Sequence, residues 1–82
     1  MISNGMLWFD DDTRRPFGTK IEAAMQHFKT KYGGDPNVVY VHPSCMPPAE
    51  AAQAIKVEAA ESILPYHYLL GIMQAKDGIK PV

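Results

Sequence analysis

The order strand, helix, strand across residues 6 to 42 constrains this chain more than any other feature. Met6-Leu7-Trp8-Phe9 is an apolar run of strand length, followed by three aspartates and a charged turn to Pro16. Phe17, Ile21, Ala24, Met25, Phe28 and Tyr32 then recur at spacings of three and four, one apolar stripe on a helix. Gly33-Gly34 ends that helix, because glycine accepts the left-handed conformation of a C-terminal cap. Asp35-Pro36-Asn37 turns the chain into Val38-Val39-Tyr40-Val41-His42, a second apolar strand. A helix crossover makes the two strands parallel, so they end on the same edge of a sheet. Asp10, Asp11 and Asp12 are therefore expected beside His42, with Cys45 three residues further on.

The helix has two plausible starts. Pro16 suits the first helical position, where its missing N–H costs nothing. Thr19-Lys20-Ile21-Glu22 alternatively has the form of a capping box. After His42, Pro43, Pro47 and Pro48 force irregular chain. Residues 48 to 54 suit a short alanine-rich helix, and Ile55-Lys56-Val57-Glu58 alternates as a half-buried strand does. A last strand is expected after Pro65, running through Tyr66 to Met73.

These elements predict a single domain over residues 1 to 82, with a loose arm at 1–5, a core at 6–75 and a tail at 76–82. Its class is α+β: one long helix on a small mixed sheet of three or four strands that begins with a βαβ unit. A domain this short buries only about 60 to 65% of its unfolded surface. Small domains compensate with disulfides, a structural metal or association. One cysteine forms no internal disulfide, and zinc-finger spacing is absent, which leaves self-association.

The same cysteine usage, and the lack of a signal peptide, suggest a reducing cytoplasm. No apolar run approaches the roughly 20 residues of a membrane span. Eight basic residues against nine acidic ones leave a net charge of −1, without the basic excess of a general nucleic-acid binder.

The strands also carry an argument about partners. Val39 and Val41 oppose Val38, Tyr40 and His42; Met6 and Trp8 oppose Leu7 and Phe9; Tyr66, Tyr68, Leu70 and Ile72 oppose His67, Leu69 and Met73. Both faces of the sheet are apolar, which implies that both are covered. One helix covers one face. Residues 47 to 54, a second copy or another protein must cover the other.

The groups able to do chemistry gather at the strand ends. Asp10, Asp12 and His42 offer oxygen and imidazole donors suited to zinc or manganese, and His67 joins them if the last strand runs beside the second. The plainer reading is that the aspartates cap local backbone donors and His42-Pro43 is a turn. Cys45 with His42 as base matches no nucleophilic signature: a cysteine-phosphatase loop would place arginine at position 51, which is alanine. His27 sits near the border of the helical stripe, where solvent reaches it.

Leu7-Trp8-Phe9-Asp10-Asp11-Asp12, Lys31-Tyr32-Gly33, Pro36-Asn37, Val39-Tyr40-Val41-His42-Pro43, Ile63-Leu64-Pro65-Tyr66-His67 and Gly71 together resemble a family of small bacterial proteins of unknown function. The resemblance spans residues 6 to 72 and brings no activity with it. It implies that the His-Pro and Leu-Pro-x-His segments belong to one pattern, joining His42 to His67. Members of that family carry a hairpin with a glycine turn ahead of Leu64, whereas residues 49 to 60 here are alanine-rich.

Two functions follow as expectations. The first is a small intracellular bacterial protein without catalysis or cofactor, a homodimer or protein-interaction module anchored by Trp8, Tyr40, Tyr68 and Leu70 on an apolar sheet face. The second is a divalent-metal-dependent hydrolase or nuclease-like site at Asp10, Asp12, His42 and His67.

Overall fold

A computed structural model describes residues 2–47 and 55–73. The chain runs β1 (Ile2–Phe9), α1 (Phe17–Tyr32), β2 (Val38–Val41), a single 3-10 turn at Pro43–Cys45, β3 (Lys56–Ala59) and β4 (His67–Met73). One helix thus packs on a four-stranded mixed sheet, an α+β fold with strand order β1-β4-β2-β3. The alanine-rich segment 48–54 and the tail 76–82 lie outside the described residues.

The helix takes the earlier of its two starts. Pro16 is extended (φ −70°, ψ 161°) and serves as N-cap without a side-chain bond, so the capping box at Thr19 is not used. Phe17 explains the choice: its ring meets Tyr68 of β4 edge-on at 5.9 Å, a packing gain that a start at Thr19 would forfeit. Gly33 ends the helix in the left-handed region (φ 81°) and donates its N–H to Lys29 O at 2.7 Å. Lys29 and Lys31 in the last turn favour the negative end of the helix dipole.

The two parallel strands that α1 connects, β1 and β2, are not neighbours. β4 lies between β1 and β2 and is antiparallel to both, with Leu7 opposite Leu69, Trp8 opposite Tyr68 and Val41 opposite Tyr68. β3 pairs parallel with β2, Val39 opposite Val57. The βαβ unit is therefore split, and the ends of β1 and β2 stand two strand spacings apart, roughly 10 Å. Residues 2–5, expected as a loose arm, instead belong to β1. Ile2 and Ser3 pair with Met73 and Ile72, and the ladder shifts register between Ser3 and Met6.

The core lies between helix and sheet. Ile21, Ala24 and Phe28 of α1 meet Met6, Val39, Val41, Tyr68 and Leu70 from the strands, with Ile55 added ahead of β3. Phe28 and Leu70 have no exposed surface at all. Burial of each is worth about 1.5 to 3 kcal/mol, so together they supply a large share of a small domain's stability. Trp8 packs against this core and tilts onto the His27 ring at 4.6 Å.

Period-two alternation then decides what the opposite face carries. Leu7 and Phe9 of β1 stand there, 60% and 55% exposed. His67 and Leu69 of β4, Val38 and Tyr40 of β2, and the Lys56–Glu58 ion pair of β3 continue the same face, where Val38 has no exposed surface.

Candidate functional site

Because β4 is antiparallel to its neighbours, its first residues arrive where β1 and β2 end. The Asp10–Pro16 loop, the Pro43–Cys45 turn and Tyr66 therefore share one edge of the sheet. Asp10 is only 8% exposed. Its N–H donates to Tyr66 O at 3.0 Å, its Oδ1 accepts the Asp12 N–H at 3.0 Å, and its Oδ2 holds the Arg15 guanidinium. Aspartate favours such a turn because its short side chain reaches a backbone donor two residues on.

Asp12 repeats the arrangement one turn later. Its Oδ1 accepts from both Arg14 N and Arg14 Nε at 3.0 Å. The side-chain bond from Arg14, then its backbone N–H, hold the Asp12 carboxyl below the usual carboxylate range. Both carboxylates are thus occupied by local backbone and arginine donors.

The histidines are engaged separately. His42 Nδ1 accepts the Ser44 N–H at 3.0 Å and lies 2.7 Å from Ser44 Oγ, which turns the chain at Pro43. An accepting Nδ1 carries no proton, so the ring proton sits on Nε2. His67 Nδ1 lies 2.9 Å from Pro65 O; a carbonyl only accepts, so here Nδ1 is the protonated nitrogen. Its ring packs on Phe9 at 4.8 Å. Among the described residues no three histidine, cysteine, aspartate or glutamate side chains stand together as metal ligands. Asp10, Asp12, His42 and His67 share an edge without converging, since β4 separates the first pair from His42 and each side chain is turned to its own backbone.

What the edge does assemble is a clamp around one residue. Tyr66 has φ 64°, a left-handed conformation that costs a tyrosine about 1 to 3 kcal/mol. Cys45 Sγ accepts its N–H at 3.4 Å, and its carbonyl accepts the Asp10 N–H. The two groups flagged for chemistry therefore hold the strained entry to β4 from both sides. Tyr68, next on the helix face, is pushed above its ordinary pKa, first by burial and then by the negative charge of Cys45, Asp10 and Tyr66.

Lys20 is the residue that pattern reading missed. It is 6% exposed, with Nζ 3.4 Å from Asp10 O and 5.6 Å from the centre of the Tyr66 ring. Its signal was present: Lys20 stands three residues after Phe17 and four before Ala24, on the apolar stripe. The long stem is buried and the ammonium reaches the loop carbonyl and ring, as amphipathic side chains do.

The expected interface anchors divide between the two faces. Trp8, Tyr68 and Leu70 face α1: Tyr68 and Leu70 are buried in the core, out of a partner's reach, and the half-buried Trp8 packs on it. Tyr40 alone of that set lies on the face opposite α1, beside Leu69 of β4. Trp8 Nε1 is buried without a hydrogen-bond partner among the described residues. A surface groove of about 380 Å³ lined by Glu22, Met25, Gln26, Lys29 and Asp35 lies along the helix and the loop after it, and includes none of the sequence-predicted site residues.

No protein-family model, no curated protein and no solved structure matches this chain. No described helix is long and apolar enough to cross a membrane.

Proposed function

We propose that this chain is a non-catalytic protein-interaction module that assembles as a homodimer through the sheet face opposite α1, in a bacterium as its family resemblance suggests and in the cytoplasm as its cysteine usage suggests. The observation that carries this reading is the bare pair Leu7 and Phe9, 60% and 55% exposed on strand residues that alternate strictly with the core. With Leu69 and Tyr40 they make a continuous apolar row across β1, β4 and β2, the kind of surface that marks an interface. Leu7 and Phe9 take the anchor role that the pattern had given to Trp8, Tyr68 and Leu70, and Leu69 and Tyr40 continue their face.

A second copy is the occupant that chemistry favours. A net charge of −1 sets up little repulsion between copies, and a two-fold contact makes one patch its own complement. A small domain without a disulfide gains most from association. Sedimentation equilibrium of untagged protein, from low micromolar to several hundred micromolar, is expected to show a dimer; a monomer throughout overturns the reading. Native mass spectrometry after exposure to zinc or manganese tests the metal-hydrolase alternative. A stoichiometric ion that is lost in His42→Ala would replace the interaction module with that enzyme.

A further inference from the structure

The two edges of the sheet are built differently. β3, at one edge, is four residues long and carries the Lys56–Glu58 ion pair at 3.1 Å. Short length and charge are the usual guards against strand addition. β1, at the other edge, is eight residues long and contains neither a charge nor a proline. Among the described residues its one irregularity is the register shift between Ser3 and Met6, ahead of Leu7 and Phe9.

The backbone of β1 shows where it is open. Antiparallel pairs alternate between exchanging both hydrogen bonds and exchanging none. Asp10 N–H bonds Tyr66 O at 3.0 Å, one step beyond the Phe9–His67 pair. The bonded positions are therefore Asp10–Tyr66, Trp8–Tyr68 and Met6–Leu70, and the N–H and C=O groups of Leu7 and Phe9 turn away from β4. The same two residues carry the exposed side chains of the open face. Before them the edge closes, since Tyr32 Oη donates to Gly5 O at 3.3 Å.

We infer that β1 of one copy pairs antiparallel with β1 of a second copy at Leu7 and Phe9, joining the two sheets into one continuous sheet. This rests on the dimeric reading above and confines its contact to the β1 side of that face: Leu7 and Phe9 lie in the seam, and Tyr40, two strands away, lies outside it. With Leu7 of one copy opposite Phe9 of the other, the outward groups form about four main-chain hydrogen bonds. The Leu7 and Phe9 side chains of both copies then form one apolar cluster on the open face. Charge selects the direction: antiparallel pairing puts the Asp10-Asp11-Asp12 runs at opposite ends of the seam, whereas parallel pairing sets them side by side.

Amide hydrogen exchange read by NMR, below and well above the dimer dissociation constant, tests this. The Leu7 and Phe9 amides are expected to slow on the order of tenfold on dimerisation, as the free monomer becomes scarce. Met6 and Trp8, bonded to β4 in either state, report that the fold is intact. Phe9→Pro removes one outward donor at an edge position that tolerates proline, and is expected to weaken the dimer about tenfold or more. Leu69→Lys, on the open face but away from the seam, is expected to change it less. A dimer whose Leu7 and Phe9 amides exchange as fast as in the monomer overturns the edge pairing and leaves a face-to-face dimer. A monomer at every concentration overturns both.

Discussion

Replacing Leu7 and Phe9 together by serine separates association from folding. The two side chains are 60% and 55% exposed, so a partner covering them removes a little over half of each from water. Full burial of such a side chain is worth about 1.5 to 3 kcal/mol, so each gains about 1 to 1.5 kcal/mol at the contact. Two copies contribute both residues, which brings the total to about 5 kcal/mol. That corresponds to roughly a thousandfold or more in dissociation constant. The monomer loses only the part already buried, about 2 kcal/mol across both sites. Leu70→Ala on the helix face, by contrast, empties a site with no exposed surface and costs about 2 to 5 kcal/mol. Sedimentation equilibrium measures the first quantity. Denaturant unfolding at a concentration where the wild-type protein is dissociated measures the second. A serine double variant that dimerises within tenfold of wild type, or whose monomer loses more than Leu70→Ala, refutes the assignment of the two faces.

The strand-edge clamp makes two further predictions. Asp10→Ala strips the Asp12 N–H and Arg15 of their acceptor and is expected to cost about 2 kcal/mol in urea unfolding, with no change in dimer dissociation constant beyond what folding explains. Tyr68 has its pKa raised by burial, so its neutral form stabilises the fold fully below the unfolded tyrosine pKa of about 10, and that contribution is lost as pH rises through the higher folded value. Tyr68→Phe is expected to flatten this alkaline fall in melting temperature, and an unchanged slope would show that another group sets it.

The helix and its stop were legible because both are local. A stripe at spacings of three and four from Phe17 to Tyr32, closed by Gly33, needs no information from the rest of the chain. Its first residue was less legible. Pro16 and Thr19 both satisfy local rules, and the contact of Phe17 with Tyr68, far along the chain, decides between them. β3 was readable from the alternation of Ile55 to Glu58, and β4 from the apolar run after Pro65.

What the sequence by itself determined about this protein is its class of elements, their order and the alternation within each strand, since helix and strand periods are written into neighbouring residues. Only the tertiary structure decided which strand lies beside which. By inserting β4 between β1 and β2 it keeps Asp10 and Asp12 apart from His42 and turns the expected ligand cluster into a clamp on Tyr66. It also decided which alternate set meets the helix. Both faces of the strands are apolar, so a period of two names two sets without ranking them. Packing against Ile21, Ala24 and Phe28 selects Met6, Tyr68 and Leu70 for the core, with Trp8 against it, and leaves Leu7 and Phe9 to the surface.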